Sequence, residues 1–446
     1  METKQKKTKV VVSLLVLAAL CVFSLFAVAG NLEPSAPPGP TMKTLDEVQP
    51  GMPISSIPYT IVESGYYYLT SSVQNSSGMF HGITIWADNV TVDLKGFSMI
   101  GDGSAGLHGV AIEGTHKNIT IRDGTIRDFD SGIYENDTQG TGHRIIGVKV
   151  LSNMNNGISL FGSNNLVRDC TVSDNGTSAS RNIYGILVKD DSSVTNNRVY
   201  NNGGSVFGSV EGIKAGNGCE VIGNVVSNNG IGAGSTKGIY TNPFCTVTGN
   251  TVVRNGGGSG SVLGIWASGG STVRGNTVCS NGNSASGYVR GIVANPGCTV
   301  SNNTVSENGN SASGDVYGIY ASSGCMVSNN VVYKNGYGAS SDSFFAIYGI
   351  YAGDSCTVMN NTVSKTGGAA ECFGGPFICS IFVEAGSTVT GNTASKNATP
   401  ISSAIASGIS LGEYSLVDQN TAYDNKGQNM NNPGNCSFGV NVPQLP

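Results

Sequence analysis

The chain has 446 residues, 64 of them glycine, with 12% charged side chains and a formal net charge of −5 at pH 7. This balance excludes a basic nucleic-acid binder and an acidic disordered tail, so no nucleic-acid partner is expected. A hydrophobic share of 39% can fill a core, yet a single globule of this length would normally divide into domains. A solenoid escapes that limit, because each repeat buries its apolar face on the next.

At the N-terminus, Lys4, Lys6, Lys7 and Lys9 precede an apolar run from Val10 to Ala29 that ends in Ala27-Val28-Ala29. Positive charge, apolar stretch and small-x-small ending read as a signal peptide over residues 1–30. The run is also long enough to span a bilayer, so an uncleaved anchor is the alternative and residues 10–29 are the only expected membrane contact. Either way the body is expected outside the cytoplasm, extracellular or on the cell envelope. Residues 31–58 are a Pro-rich linker and lead-in.

The body, residues 59–427, opens with Tyr59 to Leu69, read as a cover for the first edge. Short alternating runs follow at Ile83-Thr84-Ile85, Val90-Thr91-Val92, Val110-Ala111-Ile112 and Ile119-Thr120-Ile121. From there a period of 26 to 31 residues takes over, with Gly-Ile at 157, 185, 212, 238, 264, 291, 318, 349 and 408 and Ser380-Ile381 in the one gap. A second column holds Ser192, Cys219, Cys245, Ser271, Cys298, Cys325, Cys356 and Ser387. A third holds Asn197, Asn224, Asn250, Asn276, Asn303, Asn330, Asn361, Asn392 and Asn420.

Each repeat reads as three short strands parted by Asn, Gly and Ser turns. Equivalent residues of successive coils lie about 4.8 Å apart. Ile, Val and the Cys/Ser column therefore face inward, while stacked Asn amides pass hydrogen bonds from coil to coil. The tail, 428–446, is read as a C-terminal cap.

These Gly-Ile, Cys-Thr-Val, Asn-Thr-Val and Asn-Gly coils, over roughly residues 80 to 425, resemble the pectin-lyase-like superfamily of right-handed parallel β-helix repeat proteins. The resemblance implies an all-β solenoid of about a dozen coils. It leaves function open, because the superfamily includes pectate lyases, polygalacturonases, alginate epimerases, phage tailspikes, NosD-like proteins and non-catalytic surface proteins.

Enzymes of that kind flank a scissile sugar with carboxylates. The polygalacturonase set is not assembled here: Lys189-Asp190-Asp191 supplies an Asp pair, but Gly142-His143-Arg144 precedes it and is not Gly-His-Gly. The epimerase Asp-Pro-His-Asp motif is absent.

An early cluster of Asp123, Arg127, Asp128, Asp130, Glu135, Asp137, His143 and Arg144 remains. Asp123, Arg127, Asp128, Asp130, His143 and Arg144 are the catalytic candidates of a lyase or hydrolase acting on acidic glycans. The plainer reading is mutual ion pairing on a solvated loop. His81, His108, His116 and His143 share no metal-ligand spacing, so neither metal nor cofactor is expected, with calcium a weak alternative that stands slightly ahead of zinc.

The position after Gly-Ile reads Leu187, Lys214, Tyr240, Trp266, Val293, Tyr320, Tyr351 and Phe382. By strand alternation it faces outward. Tyr240, Trp266, Tyr320, Tyr351 and Phe382 thus form a ligand-binding row suited to sugar faces or a protein partner. The competing reading has the Gly/Ser loops before each Gly-Ile folding over these rings. Cys372 and Cys379 are spaced to clamp one of the two longest loops by a disulfide. The expectation is an exported, non-catalytic solenoid that binds polysaccharide or a cell-surface component along this face. A polysaccharide lyase or hydrolase is one alternative, and a purely structural surface protein is another.

Overall fold

The computed structural model describes residues 2–24, 51–76, 78–177, 182–204, 207–258, 260–341, 345–372, 376–397, 405–432, 434–439 and 442–443. The chain forms two units, Met1–Pro50 and Gly51–Pro446. In the first, Glu2–Ser24 is a helix. Among the described residues no helix is long and apolar enough to cross a membrane. Residues 31–50 of the linker and the Ala27-Val28-Ala29 sequence lie outside the described residues.

The second unit is a parallel β-solenoid. One coil shows how the repeat produces it: Val289–Ala294, Thr299–Ser301 and Thr304–Ser306 are its three strands. Each pairs in parallel with the same strand of the next coil, with Ile292 opposite Ile319, Val300 opposite Val327 and Val305 opposite Val332. The Gly-Ile strands stack into a fifteen-stranded parallel sheet, and the other two sets belong to one 29-stranded sheet. The early strands Thr120–Arg127 and Arg144–Leu151 fuse those two sets, because each runs unbroken through both.

The inward columns are fully closed to solvent: Ile239, Ile265, Ile292, Ile319 and Ile350 on one wall, Val247, Val273, Val300 and Val327 on the second, Val252, Val278, Val305 and Val332 on the third. Glycine before each Ile is required by close approach. At Gly264 a β-carbon would sit 2.5 Å from the Gly291 carbonyl oxygen and 2.5 Å from Val278.

Two Asn ladders run through the corners. In the expected one, Asn250 Nδ2 and the Asn250 N–H both donate to Asn276 Oδ1, at 3.0 and 2.8 Å, and Asn276 repeats this with Asn303. The ladder residues themselves are not left-handed. The residue just before takes that conformation, as Asn196, Gly223, Gly249, Gly275, Asn302 and Asn329 do.

A second ladder, Asn175, Asn202, Asn229, Asn255, Asn281, Asn308 and Asn335, was hidden in the Asn-Gly dipeptides read only as turns. Thr366 takes its place in one coil and Asn397 and Asn425 continue it.

Both ends differ from the expectation. Met52–Ile54 already pairs with Gly65–Leu69, so the solenoid begins before Tyr59, and Tyr59–Ile61 is the first strand of the fifteen-stranded sheet rather than a cover over it. Gln428–Asn431 pairs with Ile405–Ser410, and Ser437–Phe438 with Leu416–Asp418. The described part of the tail is therefore one more coil.

Candidate functional site

The early charged cluster does not form a single site. Asp123, within the strand Thr120–Arg127, and Asp128, just after it, hold left-handed backbone. Asp128 is paired with its neighbour Arg127, and Asp123 lies 3.8 Å from Arg122, whose guanidinium is committed to Asp93 at 2.8 Å. Asp130 is buried, accepting from Asn155 Nδ2 at 2.6 Å and from Ser131 Oγ at 3.3 Å. Asp137 accepts the Gln139 N–H and the Thr115 hydroxyl. His143 and Glu135 are fully buried against each other at 3.0 Å. Arg144 is an exposed strand residue. Only Asp128 with Arg127 matches the expected ion pairing on a solvated loop; Asp130, Glu135 and His143 are buried and held by coil-to-coil hydrogen bonds instead.

The four histidines each meet a carboxylate: His81 with Glu113, His108 with Asp130, His116 with Asp88, His143 with Glu135. His81 and His108 also stack, 5.0 Å between centroids, and Tyr134 covers the stack at 4.2 Å from His108. Among the described residues no three His, Cys, Asp or Glu side chains gather to hold a metal.

The outer face of the fifteen-stranded sheet is the more continuous surface. Strand alternation, interrupted by the glycine, turns two residues of each coil outward. One column is Tyr184, Glu211, Lys237, Leu263, Arg290, Tyr317 and Tyr348, and the other is the row read from sequence. The companion column was missed because its residue types vary.

Tyr240, Trp266, Tyr320, Tyr351 and Phe382 are all half-buried, whereas Leu187 and Val293 in the same row are buried. Tyr240 and Trp266 are neighbours at 6.0 Å. Tyr320, Tyr351 and Phe382 stack in sequence at 5.1 and 5.3 Å, and Tyr317 stacks on Tyr348 at 5.0 Å. Such pairs contribute about 0.5–1.5 kcal/mol each beyond area burial. Tyr351 has neighbours on both faces and gives its hydroxyl proton to Glu384. Burial and that carboxylate together push its phenol well above its ordinary range.

This modifies the expected sugar platform. A ring stacked on both sides offers its edge, so a ligand on this face meets edges, hydroxyls and cations.

The cations are held by the rings. Lys214 Nζ lies 5.1 Å from the Tyr184 centroid and 5.2 Å from Tyr240, and Lys237 lies 4.5 Å from Tyr240. Both lysines pair with the buried Glu211, at 3.3 and 2.7 Å. Burial opposes the charge on Lys214, but Glu211 outweighs it and raises the ammonium pKa. Arg290 rests against Tyr288, Tyr317 and Tyr320 at 4.8, 5.0 and 4.2 Å. Its Nε and the Trp266 Nε1 are buried donors with no hydrogen-bond partner among the described residues.

The loops do build a satellite core, but beside the rings. Ala285, Ala312, Ala339, Phe345 and Ala370 from the loops pack on Val289, Val316, Ile347 and Ile378, which precede the column's glycine, or Ser380 in its one gap, by two residues. The two longest loops are tied by parallel pairing of Ser340–Ser341 with Glu371–Cys372. Cys379 is a buried free thiol that donates to the Ile381 carbonyl, and the Cys372 side chain lies outside the described residues.

The family model described as right handed beta helix region matches residues 70–224 and 108–278. No curated protein sequence matches the chain. Among solved structures, the A-module of an Azotobacter vinelandii mannuronan C-5 epimerase is 13% identical, with 86% of this chain and 91% of that one covered and a TM-score of 0.36. A surface adhesin of Streptococcus pneumoniae is 10% identical, covering 83% and 86%, with a TM-score of 0.35. The catalytic unit of an α-1,3-glucanase from Streptomyces thermodiastaticus is 12% identical, covering 82% and 63%, with a TM-score of 0.33.

Proposed function

Since the right handed beta helix region matched over residues 70–278 is a fold shared by enzymes and non-enzymes, we propose that the chain is an exported, non-catalytic solenoid that binds polysaccharide on the outer face of its fifteen-stranded sheet. The observation that carries this reading is the ring stripe of Tyr240, Trp266, Tyr320, Tyr351 and Phe382, left half-exposed by loops that pack elsewhere. Aromatic side chains with a polar handle suit a ligand that is apolar on its faces and hydroxylated at its rim. The cations among the rings add charge and hydrogen-bonding capacity along one line. No cofactor enters this reading, and residues 1–30 deliver the body to the cell envelope or beyond.

The test is to incubate the full chain with acidic and neutral polysaccharides, with and without calcium, scoring retention and new reducing or unsaturated ends together. Retention without new ends is expected, weakened at least tenfold in a Trp266→Ala, Tyr320→Ala, Tyr351→Ala triple variant. New chain ends that vanish in Asp128→Asn or Asp130→Asn would overturn the reading in favour of a lyase or hydrolase.

A further inference from the structure

The corner that closes the third strand of each coil turns through one residue of left-handed backbone. Ser280, Glu307, Lys334, Lys365, Lys396 and Asp424 hold this place in successive coils. Their stacking is direct: the Lys334 N–H donates to the Ser364 carbonyl, just ahead of Lys365, and the Lys365 N–H donates to the Ser395 carbonyl, just ahead of Lys396. Three lysines thus stand in single file, one per coil, with their backbones about 4.8 Å apart. Among the described residues Lys334 pairs with Glu307 at 3.3 Å, whereas Lys365 and Lys396 are exposed and make no ion pair.

Like charges on neighbouring strands repel and oppose folding. A solenoid that needed only solubility could alternate the signs, as Glu307 and Lys334 do. Lysine also guards free sheet edges, but these three close Val331–Tyr333, Thr362–Ser364 and Thr393–Ser395, each paired with a coil on either side. Neither solubility nor edge protection accounts for the file. The surface beside it suits a sugar chain: the outward column that ends these strands reads Tyr333, Ser364, Ser395 and Tyr423, so small hydroxyl side chains stand between two rings in the stack. Tyr333 is exposed, and so is Tyr337 on the loop that follows Lys334. Lys334 Nζ lies 5.4 Å from the Tyr337 centroid, and that ring reaches over the next coil, where a β-carbon on Gly368 would come within 2.9 Å of it.

We propose that Lys334, Lys365 and Lys396 bind the acidic groups of an anionic polysaccharide whose chain runs along the solenoid axis. One ammonium per coil falls close to the length of one pyranose unit in an extended chain, so successive carboxylates or sulfates each meet a lysine. A bilayer or a nucleic-acid duplex presents its charge as a broad surface, which a single file of three does not match. Tyr333 and Tyr337 flank one end of the file and suit the C–H faces of a sugar there. The site shares its class of ligand with the reading above but none of its residues, which lie on the fifteen-stranded sheet.

The test measures Kd by calorimetry for the full chain with polygalacturonate and dextran sulfate, which separate carboxylate from sulfate, beside vesicles rich in phosphatidylglycerol. At least one polymer should bind, more weakly as salt rises, with Kd raised at least tenfold in Lys365→Gln with Lys396→Gln and kept within about twofold in Lys365→Arg with Lys396→Arg. Lys117→Gln with Lys149→Gln removes the same net charge elsewhere and should leave Kd within about twofold. The thermal midpoint of the Lys365→Gln, Lys396→Gln variant should not fall, because repulsion is relieved, so lost binding is kept distinct from lost fold. Binding of neither polymer, an equal loss in both Gln variants, or a loss of vesicle binding alone overturns the assignment. If the Trp266→Ala, Tyr320→Ala, Tyr351→Ala variant loses the acidic polymer and the lysine variant does not, the corner fails and the ring stripe stands. The opposite pattern keeps the corner and removes the stripe as the site for that polymer.

Discussion

The imidazole of His143 and the carboxylate of Glu135 meet at 3.0 Å where neither side chain is reached by solvent. His143 Nδ1 accepts the Ile119 N–H, so its proton sits on Nε2 and is donated to Glu135, whose second oxygen accepts the Gly162 N–H at 2.9 Å. The His143 N–H in turn goes to Asn165 Oδ1, the next member of the column that later holds Ser192 and Cys219. Two residues of the type expected in a catalytic groove therefore knit successive coils together.

Replacing His143 by Ala leaves the Glu135 carboxylate buried and short of a partner, which costs about 3–5 kcal/mol. Urea denaturation of the full chain measures it. A loss below about 1 kcal/mol would mean that the pair is not a structural element.

The Asn ladder gives a second contrast within one strand turn. Asn276→Ala removes the acceptor of two bonds from Asn250 and the donors to Asn303 and to the Val247 carbonyl. With about 1–3 kcal/mol for each buried group left unmet, a loss of at least about 2 kcal/mol is expected. The adjacent Thr277 is exposed, and Thr277→Ala should stay within about 0.5 kcal/mol. Equal losses would contradict the ladder's role.

Burial pushes the His108 imidazole down to about 4, helped by its stacked neighbour His81 and opposed by Asp130 at 3.7 Å. The folded value is below the unfolded one of about 6.5, so the unfolded chain takes up the proton first. The contribution is complete above pH 6.5 and is lost as pH falls towards 4, at about 1.4 kcal/mol per pH unit and about 3 kcal/mol in all. In His108→Gln the stability difference between pH 7 and pH 4.5 should shrink accordingly. An unchanged difference would place the acid sensitivity elsewhere.

In the Ser/Cys column Ser192, Cys219, Cys245 and Ser387 each accept an N–H from the preceding coil and donate to a carbonyl. Cys245 Sγ accepts from Cys219 at 3.3 Å and donates to Gly216 at 3.0 Å. Cys245→Ser preserves both roles and should change stability by less than about 1 kcal/mol, whereas Cys245→Ala should cost about 1–3 kcal/mol. Burial also pushes the thiols of Cys298 and Cys170 up to about 11 and about 12. These thiols should therefore stay inert to thiol reagents until the chain unfolds, and prompt labelling of native protein would contradict the burial.

The columns were legible in the sequence because a solenoid places equal positions on top of one another, so period alone gives register. Ile265 over Ile292 and Asn276 over Asn303 follow from counting residues. The second Asn ladder escaped notice because Asn255-Gly256 and Asn281-Gly282 look like ordinary turns. Whether such an Asn points in or out depends on the left-handed residue before it, as with Arg254 and Ser280. The charged cluster was overread for a related reason. Residues 123–144 are close in sequence, but the winding of the chain sends Asp128 to a turn and His143 to the interior.

The Asn ladders also make length an adjustable quantity. Asn276 receives from Asn250 the bonds that it then makes to Asn303, so the interface above a coil is chemically the same as the one below it. Inserting or deleting one whole repeat restores every such bond and shifts the outer face by one strand spacing, about 4.8 Å. A gene that duplicates a single coil would thus extend this surface like a ruler gaining a mark, without a new core having to be invented.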